Sequence, residues 1–212
     1  MAIICLDGPS AVGKTSNSQR VAERMKGVAI QEAKGARYIP EHLTGWDRTQ
    51  WLLDAQAERW SEAVEVERSG RLAVLDNDHF KLYYDWVYGF VEGTEAGLLD
   101  FYRNRLLEQQ IGYPDRYYIL DADEAVLRSR KESDTTRSRR GFEKHIAIIE
   151  PIQRYFKAME VEAPGLVTFL RSDEVESTSY QIIEQIPHAS SPHRSSVALF
   201  DAMWAWMETH PA

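Results

Sequence analysis

The run Ile3-Ile4-Cys5-Leu6 has no polar position in it, and an unbroken apolar run of strand length predicts a strand buried on both faces. Leu72-Ala73-Val74-Leu75, ending on Asp76, has the same character, and Tyr117-Tyr118-Ile119-Leu120 and Leu166-Val167-Thr168-Phe169-Leu170 give two more strands. From Val28 onward the pattern is weak, with Ala36-Arg37-Tyr38-Ile39 as a short second strand that stops at Pro40-Glu41. Between these runs the period changes to that of a helix. The helical stretches are residues 16–25, 47–69 (with Trp51, Leu52, Ala55, Ala63 and Val66 at helical spacing, closed by Gly70), 95–110, 124–133, 142–161 and 177–185. Ser195 or Ser196 starts a last helix, about residues 196–209. Val197, Leu199, Phe200, Met203, Trp204, Trp206 and Met207 surround most of it, so it should pack on the main body or on a second copy.

Strands alternating with helices predict an α/β fold, a parallel sheet of about five strands with helices on both faces in three layers. Ligands of such sheets bind at the carboxyl ends of the strands. A chain of 212 residues with 43% hydrophobic content can bury one substantial core, which favours a single domain over residues 1–212.

The formal charge of −8 disfavours a sequence-independent grip on nucleic acid or anionic lipid. One cysteine, Cys5, rules out an internal disulfide. No basic leader followed by an apolar stretch opens the chain, and no window approaches the length of a membrane span. A cytoplasmic protein with no nucleic-acid or membrane partner is the expectation, and the apolar last helix leaves a homodimer open.

The chemistry begins at Gly8-Pro9-Ser10-Ala11-Val12-Gly13-Lys14-Thr15-Ser16, between the first strand and the first helix. Gly8 and Gly13 allow positive φ and close approach, so successive amides can point at phosphate oxygens. Lys14 adds a positive charge for the outer phosphates, Thr15 can ligate Mg²⁺, and the positive end of the following helix faces the same anion. A nucleoside triphosphate, ATP or another, with Mg²⁺ is the implied ligand.

Three further clusters extend this reading. Asp76, in Asp76-Asn77-Asp78-His79, follows the third strand and is placed to hold Mg²⁺ directly or through water, with Asp78 as a second acid there. Arg128, Arg130, Arg137, Arg139 and Arg140 form a basic run; five guanidinium groups would repel one another unless an anion neutralises them, although Glu132, Asp134 and Glu143 among them also allow a solvated, charge-rich face. Glu41, in Pro40-Glu41-His42, or Asp78 can orient an acceptor hydroxyl or take its proton, with His42 as a further acceptor contact. Trp46, Phe80, Tyr84 and Trp86 are aromatic candidates for the acceptor pocket, and Arg171, after the last strand, is a base contact by position.

The order of phosphate loop, Pro-Glu after the second strand, acid after the third and Arg-rich segment after the fourth resembles the P-loop nucleoside and nucleotide kinases, particularly deoxynucleoside kinases and thymidylate kinase, over residues 1–185. The resemblance implies that Arg128, Arg130, Arg137, Arg139 and Arg140 belong to a lid, about residues 131–142, closing over the transferred phosphoryl group. It implies that Glu41 is the general base or binds the acceptor. The chain departs from that family at Asn77, where an arginine usually follows the acid and contacts the acceptor or its phosphate. The departure favours a neutral or cationic acceptor, because Asp76, Asp78 and Glu41 make that side acidic; Lys81 in contact with the acceptor would reverse the inference.

The expected activity is transfer of the γ-phosphoryl group to a hydroxyl of a small molecule, nucleoside-like or an antibiotic. A nucleoside monophosphate kinase of thymidylate type and a non-catalytic nucleotide-binding regulator are the alternatives. A GTPase switch would need an Asn-Lys-x-Asp guanine-reading motif, which the chain lacks.

Overall fold

The apolar runs become the neighbouring rows of one parallel sheet. The computed structural model describes residues 1–32, 39–89, 95–135 and 141–212. β1 (Ile3–Asp7) lies at the centre, β3 (Ala73–Asp76) on one side and β4 (Arg116–Asp121) on the other, in the order β2-β3-β1-β4-β5, with β2 (Val28–Ile30) and β5 (Val167–Arg171) at the edges. Every pairing is parallel, and the register sets Leu6 beside Asp76 and Asp7 beside Ile119. The carboxyl ends of the strands therefore meet at one edge of the sheet, where the loop after Asp7 begins.

Side chains alternate across the sheet with the two-residue period of a strand. Ile3, Cys5, Ala73, Leu75, Tyr117 and Ile119 face one layer, built from α2 (Gly45–Arg68), α3 (Leu82–Tyr88), α4 (Glu95–Leu107), α7 (Ile149–Glu162) and α9 (Val197–Thr209). Ile4, Leu6, Val74, Tyr118 and Leu120 face the other, with α1 (Lys14–Met25), α5 (Glu124–Ser133), α6 (Phe142–Ala147) and α8 (Val175–Glu184). Each buried Ile or Leu stabilises by about 1.5–3 kcal/mol, so the fully buried β1 is a rigid base for the glycine loop that leaves it.

Three elements differ from the expectation. The second strand is Val28–Ile30. Residues 36–38 of the strand expected at 36–39 lie outside the described residues, and Ile39 is in no strand. The chain turns early because Lys26 adopts a left-handed conformation (φ 52°) and caps α1, after which the Val28 amide already bonds to the Leu72 carbonyl at 2.8 Å. The helix expected over 142–161 is two helices, α6 and α7, parted at Ile148. Pro151 has no N–H for the Ala147 carbonyl and its ring crowds that carbonyl, so one helix cannot run through. α3 was not anticipated.

The last helix behaves as its pattern requires. Ser196 caps α9 by accepting the Leu199 amide at 3.0 Å, and Leu199, Phe200, Met203, Trp204 and Met207 are buried in the same core as α4 and α7. Of its two anticipated partners, the main body covers this face. Among the described residues no helix is long and apolar enough to cross a membrane.

Candidate functional site

The loop after β1 is held from beneath by Asp7, a fully buried carboxylate that accepts the Gly8 amide at 2.6 Å, the Asp78 amide at 3.3 Å and the Tyr83 hydroxyl. Burial raises its pKa, opposed by Lys14 and Lys81. Gly8 has φ 138°, and a Cβ there would lie 2.2 Å from the Leu120 carbonyl oxygen. Since that neighbour is sheet backbone, Gly8→Ala is expected to cost more than about 2 kcal/mol and to abolish nucleotide binding, read by thermal unfolding and by titration with Mg·ATP.

Gly13, at φ 99°, is the N-cap of α1 and contributes no side-chain cap, which leaves the first-turn amides to a ligand. The Lys14 ammonium donates to the Gly8 and Pro9 carbonyls at 2.6 and 3.0 Å, folded back along the loop. Burial lowers its pKa against the pull of Asp7, Glu32 and Asp76. A desolvated cation beside unpaired amides favours an anion with several oxygens.

The Thr15 hydroxyl hydrogen-bonds to Asp76, whose carboxyl pKa is raised by burial and lowered by that bond and by Lys14. Among the described residues no group of three metal-ligating side chains occurs. One hydroxyl and one carboxylate beside a phosphate site suit Mg²⁺, which keeps several waters and takes further ligands from phosphates.

Opposite the loop stands a carboxylate that the sequence pattern did not single out. Glu32 comes just after β2 and lines the same cleft of about 1070 Å³ as Pro9–Ser16, Asp76, Asn77 and Tyr84. Asn77 Nδ2 and Lys81 Nζ both donate to its Oε1, each at 2.9 Å. Among the described residues no donor to its Oε2 occurs. Partial burial disfavours the charged carboxylate, but Lys81, Lys14 and the Asn77 hydrogen bond outweigh it and bring the pKa down to about 2. Asn77 has φ 76°, a left-handed conformation that asparagine tolerates better than most residues. The Lys81 ammonium also lies 4.8 Å from the centre of the Tyr84 ring. The signal for Glu32 is in Gly27-Val28-Ala29-Ile30-Gln31-Glu32: a helix-ending glycine, an apolar triplet and, one residue on, an acid.

Other expected site residues sort by position. Ser10, Ala11, Val12, Thr15, Ser16, Tyr84 and Arg130 line the cleft. Arg130 donates to the carbonyls of Val12 at 3.3 Å, Ser172 at 2.8 Å and Asp173 at 2.5 Å, joining the phosphate loop to the turn after β5. Arg137, Arg139 and Arg140 lie outside the described residues.

Several expectations are corrected. Glu41 and His42 are exposed in a turn well past β2 and are not in the cleft wall, because the second strand ends earlier than the sequence pattern predicts. Asp78 is buried and faces inward; it accepts the Phe80 and Lys81 amides at 3.2 and 3.1 Å and the Tyr117 hydroxyl at 3.0 Å, so it holds the turn rather than an acceptor. Phe80 stacks on Tyr113 and Tyr102 in the core. Trp86 is buried and donates to the His210 carbonyl at 2.8 Å, and Trp46 packs over Gly97. Arg128 pairs on the surface with Glu124 and Glu143, and Arg171 with Asp123 and Asp173.

No protein-family model matches this chain, and no curated protein sequence does. Solved structures do. A deoxyadenosine kinase from M. mycoides, with bound dATP, superposes with a TM-score of 0.61 at 16% identity over 87% of this chain and 98% of that one. Thymidylate kinase from Candida albicans gives 0.60 at 12% identity over 86% and 89%, and thymidylate kinase from Ehrlichia chaffeensis 0.54 at 13% over 86% and 96%. The chain therefore has the fold of the P-loop deoxynucleoside and thymidylate kinases.

Proposed function

We propose that this protein transfers the γ-phosphoryl group of ATP to a hydroxyl of a small molecule, with a nucleoside-like compound or a hydroxyl-bearing antibiotic as the acceptor. The observation that carries the reading is the presence, in one cleft, of the phosphate loop with Lys14, the Thr15–Asp76 pair and the Glu32 carboxylate facing them. The solved kinases of the same fold support it.

Phosphoryl transfer leaves the protein little covalent work; positioning and charge stabilisation carry most of it. The amides at the start of α1 and the Lys14 ammonium would hold the outer phosphates. Thr15 and Asp76 would hold Mg²⁺, which when bound neutralises charge on the phosphate oxygens. Glu32 would accept a hydrogen bond from the acceptor hydroxyl through Oε2 while Asn77 and Lys81 fix Oε1. A carboxyl with a pKa of about 2 is ionised at any working pH, so its part is to orient the hydroxyl and receive its proton late. Arg130 and the lid would exclude water from the closed site.

The neutral side chain of Asn77, and the engagement of Lys81 by Glu32, favour an acceptor without its own phosphate over a nucleoside monophosphate. The test is incubation with Mg·ATP and a panel of nucleosides, nucleoside monophosphates and hydroxyl-bearing antibiotics. A gain of about 80 Da on a nucleoside or antibiotic is expected. Nucleotide binding with no product across the panel would favour a regulator instead.

A further inference from the structure

Helix α2 carries a charged side chain into the interior. Arg59 is 5% exposed, and its guanidinium is spent on main chain: Nε donates to the Gln31 carbonyl at 3.0 Å, and Nη2 to the carbonyls of Asp76 at 2.7 Å and Asn77 at 3.0 Å. Nη1 donates to Gln56 Oε1 at 2.7 Å, one turn back on the same helix, which fixes the plane of the fork.

The reason for a guanidinium here lies in the sheet. The last β2–β3 pairing is Ile30 with Leu75, and beyond it the carbonyls of Gln31, Asp76 and Asn77 have no partner in that ladder. Buried carbonyls need donors. Arginine, with several N–H groups in one rigid plane, can serve carbonyls from both strands together, which an ammonium on a flexible stem cannot do with the same geometry. Burial lowers the Arg59 pKa, and the nearby carboxylates of Glu32, Asp78 and Asp76 oppose that shift.

Asp76 and Asn77 line the cleft, and Gln31 is next to a residue that does. Gln31 immediately precedes Glu32, Asp76 is the metal-side acid, and Asn77 donates to Glu32. We propose that Arg59 is a positioning residue for phosphoryl transfer, fixing the separation of Glu32 from Asp76 by holding the carboxyl ends of β2 and β3 together. The proposal rests on the roles given to Glu32 and Asp76 above. Arg59 touches neither substrate; it acts through the backbone that carries those two carboxylates.

The test uses the full chain with Arg59→Lys and Arg59→Met, each alone and combined with Glu32→Gln. Turnover is read as ADP release from Mg·ATP, with deoxyadenosine as probe acceptor and with water alone, beside the Kd for Mg·ATP and the thermal midpoint. Arg59→Lys is expected to fold, to bind Mg·ATP within about twofold of the parent and to lose about 30–100-fold in kcat, the scale of an ångström-sized misplacement. In the Glu32→Gln background the same substitution should add no more than about fivefold, because one of the groups it places is gone. Parental kcat in Arg59→Lys, an undiminished further loss in the double variant, or failure of both Arg59 variants to fold would overturn the proposal, the last by making the guanidinium a fold element. Undiminished turnover in Glu32→Gln alone would remove the Glu32 reading and this one with it, so the two failures are distinguishable.

Discussion

Lys14→Ala is expected to fold normally and to lose at least about 10³-fold in phosphoryl transfer, or some 4 kcal/mol of transition-state stabilisation. Both halves come from the same geometry. The ammonium is bonded to two carbonyls of its own loop and is desolvated, so its removal takes a costly buried cation away and leaves two carbonyls at an open cleft where water can reach them. The change in unfolding free energy should stay within about 1 kcal/mol. Charge building on the transferred group would lose its nearest fixed cation, and no other described side chain replaces it from the loop. Thermal unfolding beside an ADP-release assay separates the outcomes: lost stability would make Lys14 structural, and retained turnover would place the chemistry elsewhere.

Glu32→Gln should remove about 10²–10⁴-fold from turnover while Glu41→Gln changes it less than about twofold. The amide is nearly isosteric, so the cleft keeps its shape. What changes is the charge, and with it the capacity to receive a proton from the acceptor. Lys81 loses its ion-pair partner, but the glutamine Oε1 can still accept its hydrogen bond and that of Asn77, so folding should be little affected. Equal losses in both variants, or a larger one in Glu41→Gln, would restore the turn at residue 41 to the site. Parallel assays of the two purified variants at saturating Mg·ATP decide this.

The fold was legible because its strongest signals are local. β1, β3, β4 and β5 are apolar runs with clear ends, and α2 and α9 carry long helical patterns. The phosphate loop was legible for a similar reason: its glycines, lysine and threonine act through backbone geometry encoded in adjacent residues. The acceptor side was not. β2 has three residues, too few for a period, and Ala36-Arg37-Tyr38-Ile39 before a proline is the stronger strand signal by pattern than Val28–Ile30. With the strand placed at 36–39, the pattern points to Glu41 as the acid after it and passes over Glu32, which lines the cleft.

The acid after β3 raised a different difficulty. Asp76 and Asp78 are two residues apart in sequence and equivalent in composition, yet the left-handed turn at Asn77 leaves one in the cleft and sends the other into the core toward Tyr117. Composition cannot report that turn. Arg59 was invisible for the same reason: an arginine in a charged helix reads as surface, and only the meeting of two strand ends above it explains its burial.

The most direct test is a crystal structure with Mg²⁺ and a non-hydrolysable ATP analogue. The outer phosphates are expected against the amides of Gly13, Lys14 and Thr15, with the metal beside Thr15 and Asp76 and with Glu32 facing the terminal phosphate across the cleft. A nucleotide bound away from that loop, or one met by Glu41 with Glu32 turned outward, would contradict the assignment of this cleft.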